Sequence, residues 1–74
     1  MALRKLDLGD SDNVSESYYD PDTQRLYVVF VSGGSGYYSG VPEEEAMAFE
    51  QADSHGKYLH QYLKPRFPWV RGGV

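Results

Sequence analysis

An α+β fold is expected from this sequence, a three-stranded antiparallel meander followed by two helices packed on the sheet, and three observations carry that expectation. Residues 25–32, Arg-Leu-Tyr-Val-Val-Phe-Val-Ser, are dominated by β-branched and aromatic side chains, the composition of a strand. Turn-forming stretches flank this run, Asp20-Pro21-Asp22-Thr23 before it and Ser32-Gly33-Gly34-Ser35-Gly36 after it. Beyond Pro42 the apolar spacing lengthens to that of helices. Seventy-four residues make one domain with a single thin core.

Taken in order, residues 1–13 form a polar lead-in containing Asp7, Gly9, Asp10, Ser11, Asp12 and Asn13, expected to be frayed or loosely docked. A domain over 14–64 follows, opening with a short strand over 14–19. In the central strand Leu26, Val28 and Phe30 face one side, while Tyr27, Val29 and Val31 face the other and are apolar too. Both faces therefore call for cover, from a helix, from the amino-terminal segment or from another subunit, and a homodimer or higher homo-oligomer is the expectation this raises. The glycine-rich loop lacks the lysine and long helix of a P-loop and reads as a hairpin turn into a third strand near 37–40.

Pro42 and the Glu43-Glu44-Glu45 run suit the start of a helix, with negative charge at the positive end of its dipole. Met47, Phe49 and Ala52, with Ala46 and Ala48 as fillers, give that helix its apolar face, so the glutamates read as a solvated helix start and no metal site is expected. Ser54 is a cap for a second helix over roughly 55–64, in which Tyr58, Leu59, Tyr62 and Leu63 recur at helical spacing and which Pro65 ends. Residues 65–74 are an extended aromatic and basic tail.

The charge is unevenly distributed. The net charge is −4, all 11 acidic side chains lie in residues 1–53, and residues 54–74 hold Lys57, Lys64, Arg66 and Arg71. Such a chain is a poor general binder of long polyanions but can hold one or two phosphates or a carboxylate. The absence of cysteine excludes disulfides, thiolate metal sites and a cysteine nucleophile. No signal-peptide pattern and no run of about 18 apolar residues is present, so a cytoplasmic location is expected.

Several short motifs together carry a family resemblance: Tyr19-Asp20, the Leu26 to Phe30 strand, Gly33, Tyr38 three residues before Val41-Pro42, and Ala52-Asp53-Ser54-His55-Gly56-Lys57-Tyr58. In these the chain resembles the KTSC domain family, small bacterial and viral modules also found at the carboxyl end of some lysyl-tRNA synthetases. The resemblance implies a small α+β fold and, through the synthetase context, an association with RNA. Two positions depart from the family pattern. Gly36 stands where the first tyrosine of a Tyr-x-Tyr pair is usual, which could open space or be made good by Tyr37, and His60 stands where Asn is usual.

The residues themselves offer little catalytic chemistry. Ser54 with His55 or His60 is the one tempting pair, yet Ser54 is better read as a cap and adjacent side chains on a helix diverge, so no enzyme is expected. His55 and His60 are five apart, not the spacing that brings two imidazoles to one helical face for zinc. Binding is better supported, because tyrosines with nearby cations suit nucleobases and phosphates. Tyr27, Tyr58 and Tyr62 read as core or interface rings. The candidate ligand-binding residues are Tyr37, Tyr38, Ser54, His55, Gly56, Lys57, His60 and Arg66, with Tyr38 the pocket-side ring of its pair and the backbone amides near Ser54 to Lys57 as anion donors.

The expected function is thus a non-catalytic module without cofactor that recognises a nucleotide-like small molecule. A protein this small could act by sequestering a nucleotide immune signal, as a phage-encoded antagonist of host defence does. RNA or tRNA association through Lys64, Arg66, Trp69 and Arg71 is the alternative, and protein interaction through Phe67, Trp69 and an edge strand is a third reading.

Overall fold

In the computed structural model, which describes residues 3–9 and 13–72, the central run does form a strand. This is β3 (Arg25–Phe30), flanked by β2 (Val14–Asp20) and β4 (Ser35–Tyr38), all antiparallel. Two further strands correct the three-stranded expectation. β1 (Arg4–Lys5) pairs with β2, and β5 (Trp69–Arg71) pairs with β4, giving a five-stranded sheet in chain order. Leu6 anchors the first addition: it is buried, and its N–H donates to the Ser17 carbonyl at 2.8 Å. The lead-in is therefore docked rather than frayed over its described part, while Asp10, Ser11 and Asp12 lie outside the described residues. Within the tail, Trp69–Arg71 likewise forms a strand, while Gly73 and Val74 lie outside the described residues.

Turn chemistry sets the strand junctions. Gln24 takes a positive φ of 57° and closes the β2–β3 turn, and its carbonyl accepts the Val41 N–H at 2.8 Å. After β3, Gly33 at φ 105° allows a tight reversal in which the Phe30 N–H donates to Gly34 at 2.7 Å. β4 consequently starts at Ser35, inside the glycine-rich loop and earlier than 37–40. A register shift between Val14 and Glu16 in β2 puts both Val14 and Ser17 on the buried side despite their odd spacing.

The core lies on one side of this sheet. Tyr19, Leu26, Val28 and Tyr38 pack there against Val41, Ala46, Phe49, Leu59 and Leu63. The first helix, α1 (Glu43–Glu50), contributes Ala46 and Phe49. Met47, expected on its apolar face, is instead 42% exposed, because Ala46 and Phe49, three apart, already define the buried stripe. The second helix, α2 (His55–Tyr58), runs directly into a π-helical turn over Leu59–Leu63, whose Leu59 carbonyl accepts the Lys64 N–H at 2.7 Å. Both helices thus cover the same sheet face, and β1 extends the sheet instead of covering its other side.

Cross-strand pairing sorts the residues into two sets. Tyr19, Leu26, Tyr38 and Trp69 line up across the covered face, and Lys5, Tyr18, Tyr27, Tyr37 and Val70 across the open one. Buried Tyr19 donates its hydroxyl to the Val41 carbonyl at 2.6 Å, tying β2 to the start of α1.

Candidate functional site

A groove runs between the end of β3 and the helical segment formed by α2 and its π turn. Two adjoining depressions make it, of about 670 and 300 Å³, sharing Phe30, Gly56 and His60. The larger is completed by Asn13, Val31, Ser32 and Lys57, the smaller by Tyr38, Leu59, Lys64 and Trp69. Together they fall within the size range of small-molecule sites.

The floor is aromatic. The rings of Tyr38 and Trp69 are 4.8 Å apart, and those of Phe30 and Trp69 5.8 Å, in tilted contacts. Burial pushes the Tyr38 hydroxyl above its ordinary pKa. Around this floor stand Lys57, His60 and Lys64, all exposed, and none of the described lining residues is acidic. Such a groove can stack a planar ring and offer charge-assisted hydrogen bonds to an anion.

Trp69 reaches this position because residue 36 is glycine. A Cβ there would fall 2.5 Å from Trp69 Cζ2 and would also strike the Val70 carbonyl oxygen. The place of a first tyrosine on β4 is therefore neither left open nor taken by Tyr37, but filled by an indole from β5. Gly56 has a comparable explanation: a Cβ on it would meet the side chain of Asn13, with Cγ 2.9 Å away. It is the close approach of the residue leading into β2 that requires glycine within α2.

The expected site residues separate. Tyr38, Gly56, Lys57 and His60 do line the groove. Ser54 caps α2 and accepts the Lys57 N–H at 3.4 Å, which engages one of the amides expected to bind an anion, so the cations of the site are side chains. Three residues are displaced. Tyr37 lies on the opposite sheet face beside Tyr27, with the Arg25 guanidinium 4.6 Å from its ring centre. His55 is only 6% exposed, sits edge-on to Phe49 and has Nε2 3.2 Å from the Glu50 carbonyl, so Nε2 carries the proton and the ring serves as a helix–helix tie. Arg66 bonds Glu45 at 2.9 Å, and that carboxylate, with a side chain only 12% exposed, also accepts the Tyr58 hydroxyl.

Sequence reasoning overlooked Asn13, Phe30, Val31, Ser32 and Leu59 as lining residues, and weighed Lys64 and Trp69 only as tail contacts for RNA or protein. The one available signal was Gly56, whose cost inside a helix implied a close neighbour without naming it. Among the described residues no cluster of three or more His, Asp or Glu is arranged to hold a metal, and no helix is long and apolar enough to cross a membrane.

Comparison with known proteins gives a consistent picture. The model of the KTSC domain matches residues 10–67. An uncharacterized protein of Stutzerimonas stutzeri (strain A1501) is 44% identical over 48 residues, which cover 65% of this chain and 68% of that protein. The crystal structure of a KTSC domain protein from Yersinia pestis is similar with a TM-score of 0.84 and 29% identity, over 97% of this chain and 100% of the other.

Proposed function

The chain belongs to the KTSC domain family, and from the groove it carries we propose that it is a non-catalytic binding module for a nucleotide-like small molecule. One observation supports this reading above the rest: Phe30, Tyr38 and Trp69 make an aromatic floor beside Lys57, His60 and Lys64. A base or similar planar ring stacks in the smaller depression, and its phosphate or carboxylate meets Lys57 and His60 in the larger. Ser32 and Asn13 add neutral hydrogen-bonding groups at that end. The candidate Ser54–His55 pair offers no nucleophile and base, since the serine is a cap and the histidine is buried against Phe49. Retention without turnover makes the module a sequestering agent for its ligand, with a soluble nucleotide signal as the suitable class.

The RNA alternative is weaker. Of the four tail residues on which it rested, Arg66 is engaged by Glu45, while Lys64 and Trp69 belong to the groove and not to a separate tail surface.

Native mass spectrometry of the purified protein, followed by denaturation and ultraviolet analysis of what is released, tests the reading. A stoichiometric phosphorylated, ultraviolet-absorbing compound is expected, lost from Lys57→Ala and His60→Ala proteins that remain folded. Bare protein that takes up no added mononucleotide would sink it. Binding only of RNA oligonucleotides, with a steep salt dependence, would favour the alternative.

A further inference from the structure

We propose that the sheet face turned away from the helices is the interface of a homodimer, organised around the row Lys5, Tyr18, Tyr27, Tyr37 and Val70 that crosses all five strands. The row begins with an ion pair, Lys5 to Glu16 at 3.6 Å, and continues through tyrosines to an aliphatic end. Val70 is 40% exposed and nearby Val31 60%, while Tyr27, Val29 and Tyr37 are half-buried only by one another and their neighbours. Both helices lie on the other face and β1 lies in the plane of the sheet, so no described element of the chain covers this one.

The state of the rings selects the occupant. Tyr27 and Tyr37 meet at 5.3 Å with planes tilted by 54°, Arg25 caps the Tyr37 ring, and the Tyr18 hydroxyl is held by Glu16. Bases stack on free ring faces, whereas the Tyr37 face is already taken by the Arg25 guanidinium and the Tyr18 hydroxyl by Glu16, so the row fits a flat protein surface. A second copy supplies such a surface with matching charge. Glu16 and Arg25 lie on opposite sides of the tyrosine row, each two residues along its strand from a row member. A two-fold axis running along the row therefore places Glu16 of one copy beside Arg25 of the other while the tyrosines meet across the axis. Two further charged residues lie on this face: Asp20, which is buried and accepts the Asp22 N–H at 2.9 Å, and Lys5, which ends the row in its ion pair with Glu16. The face is modest: strands of 2, 7, 6, 4 and 3 residues, about 4.8 Å apart and rising about 3.3 Å per residue, give roughly 350 Å², hence about 700 Å² between two copies, the scale of a weak, reversible contact.

Sedimentation equilibrium of the full chain over a range of concentrations tests this. A reversible dimer is expected, with Tyr27→Glu weakening it by about thirtyfold or more. Val70→Lys, at an exposed edge position where folding is not at stake, weakens it in the same direction. Arg25→Glu weakens it as well, and Glu16→Arg combined with Arg25→Glu restores it, a rescue that a merely structural role would not give. A chain that stays monomeric throughout, or a dimer indifferent to both Tyr27→Glu and Val70→Lys, overturns the proposal. So does a monomer that binds single-stranded oligonucleotides and loses them on Tyr27→Glu, which would assign the row to base stacking.

Discussion

Trp69 lies over Gly36, with Cζ2 and Cη2 at 2.5 and 2.8 Å from where a Cβ would stand. The groove floor and the closing strand of the sheet both depend on this contact. Gly36→Ala should therefore cost about 1–3 kcal/mol, the usual penalty for overfilling a packed site. Because Trp69 is the chain's only tryptophan, its fluorescence reports the displacement directly. Urea denaturation should give a lower midpoint together with a red-shifted native emission.

Gln24 holds a left-handed conformation, φ 57°, without being glycine. Gln24→Gly should raise stability by about 0.5–1 kcal/mol, since a side chain in that region costs about 1–2 kcal/mol and part of the gain is lost to the freer unfolded chain. Thermal denaturation measures the effect. An unchanged or lower midpoint would mean that the Gln24 side chain stabilises the turn by other means.

Tyr58 carries a strong pH dependence. Burial, then the hydrogen bond to Glu45, push its hydroxyl from 10.0 up to about 12. The folded chain keeps this proton where the unfolded chain has lost it. The stabilisation is thus fully present below pH 10 and is lost as pH rises through about 12. Burial also pushes Tyr19 and Tyr38 upward and adds to the same decline. Denaturation at stepped pH should show stability falling across this window, with a shallower fall for Tyr58→Phe.

Ser54 and Lys57 are separable. Ser54→Ala removes a long cap bond of 3.4 Å and should cost about 0.5–1 kcal/mol of stability while sparing ligand binding. Lys57→Ala should do the reverse, leaving the melting curve in place and lowering affinity for an anionic ligand about tenfold or more. Calorimetric titration beside thermal melts distinguishes the two. Equal losses of binding would make Ser54 part of the site.

The elements with strong local signals were legible in advance. The run over 25–30, the Asp20-Pro21 turn, the helix after Pro42 and the Ser54 cap each follow from neighbouring residues. β1 and β5 were not, because two residues of Arg-Lys and three of Trp-Val-Arg have no period of their own and become strands only when β2 and β4 offer free edges. The site divides in the same way. Tyr38, Lys57 and His60 were recoverable from element ends and charge, whereas Asn13 and Trp69 join the groove through contacts with Gly56 and Gly36 that span more than 30 residues of sequence. His55 and Arg66 looked like ligand groups because sequence shows their chemistry but not Glu50 or Glu45, which already occupy them.

The π turn over Leu59–Leu63 also fixes how much chain is available before the last strand. It spends one residue more than an α turn on the same span, so it acts as a spacer. Side chains alternate along a strand, and losing a single codon here would bring β5 to β4 one position out of phase. Val70 would then pair with Tyr38, and the indole of Trp69 would pass to the opposite face of the sheet. Deleting Gln61 or Tyr62 would thus take the indole from the groove floor and crowd the tyrosine row, changing two surfaces at once without touching a residue of either.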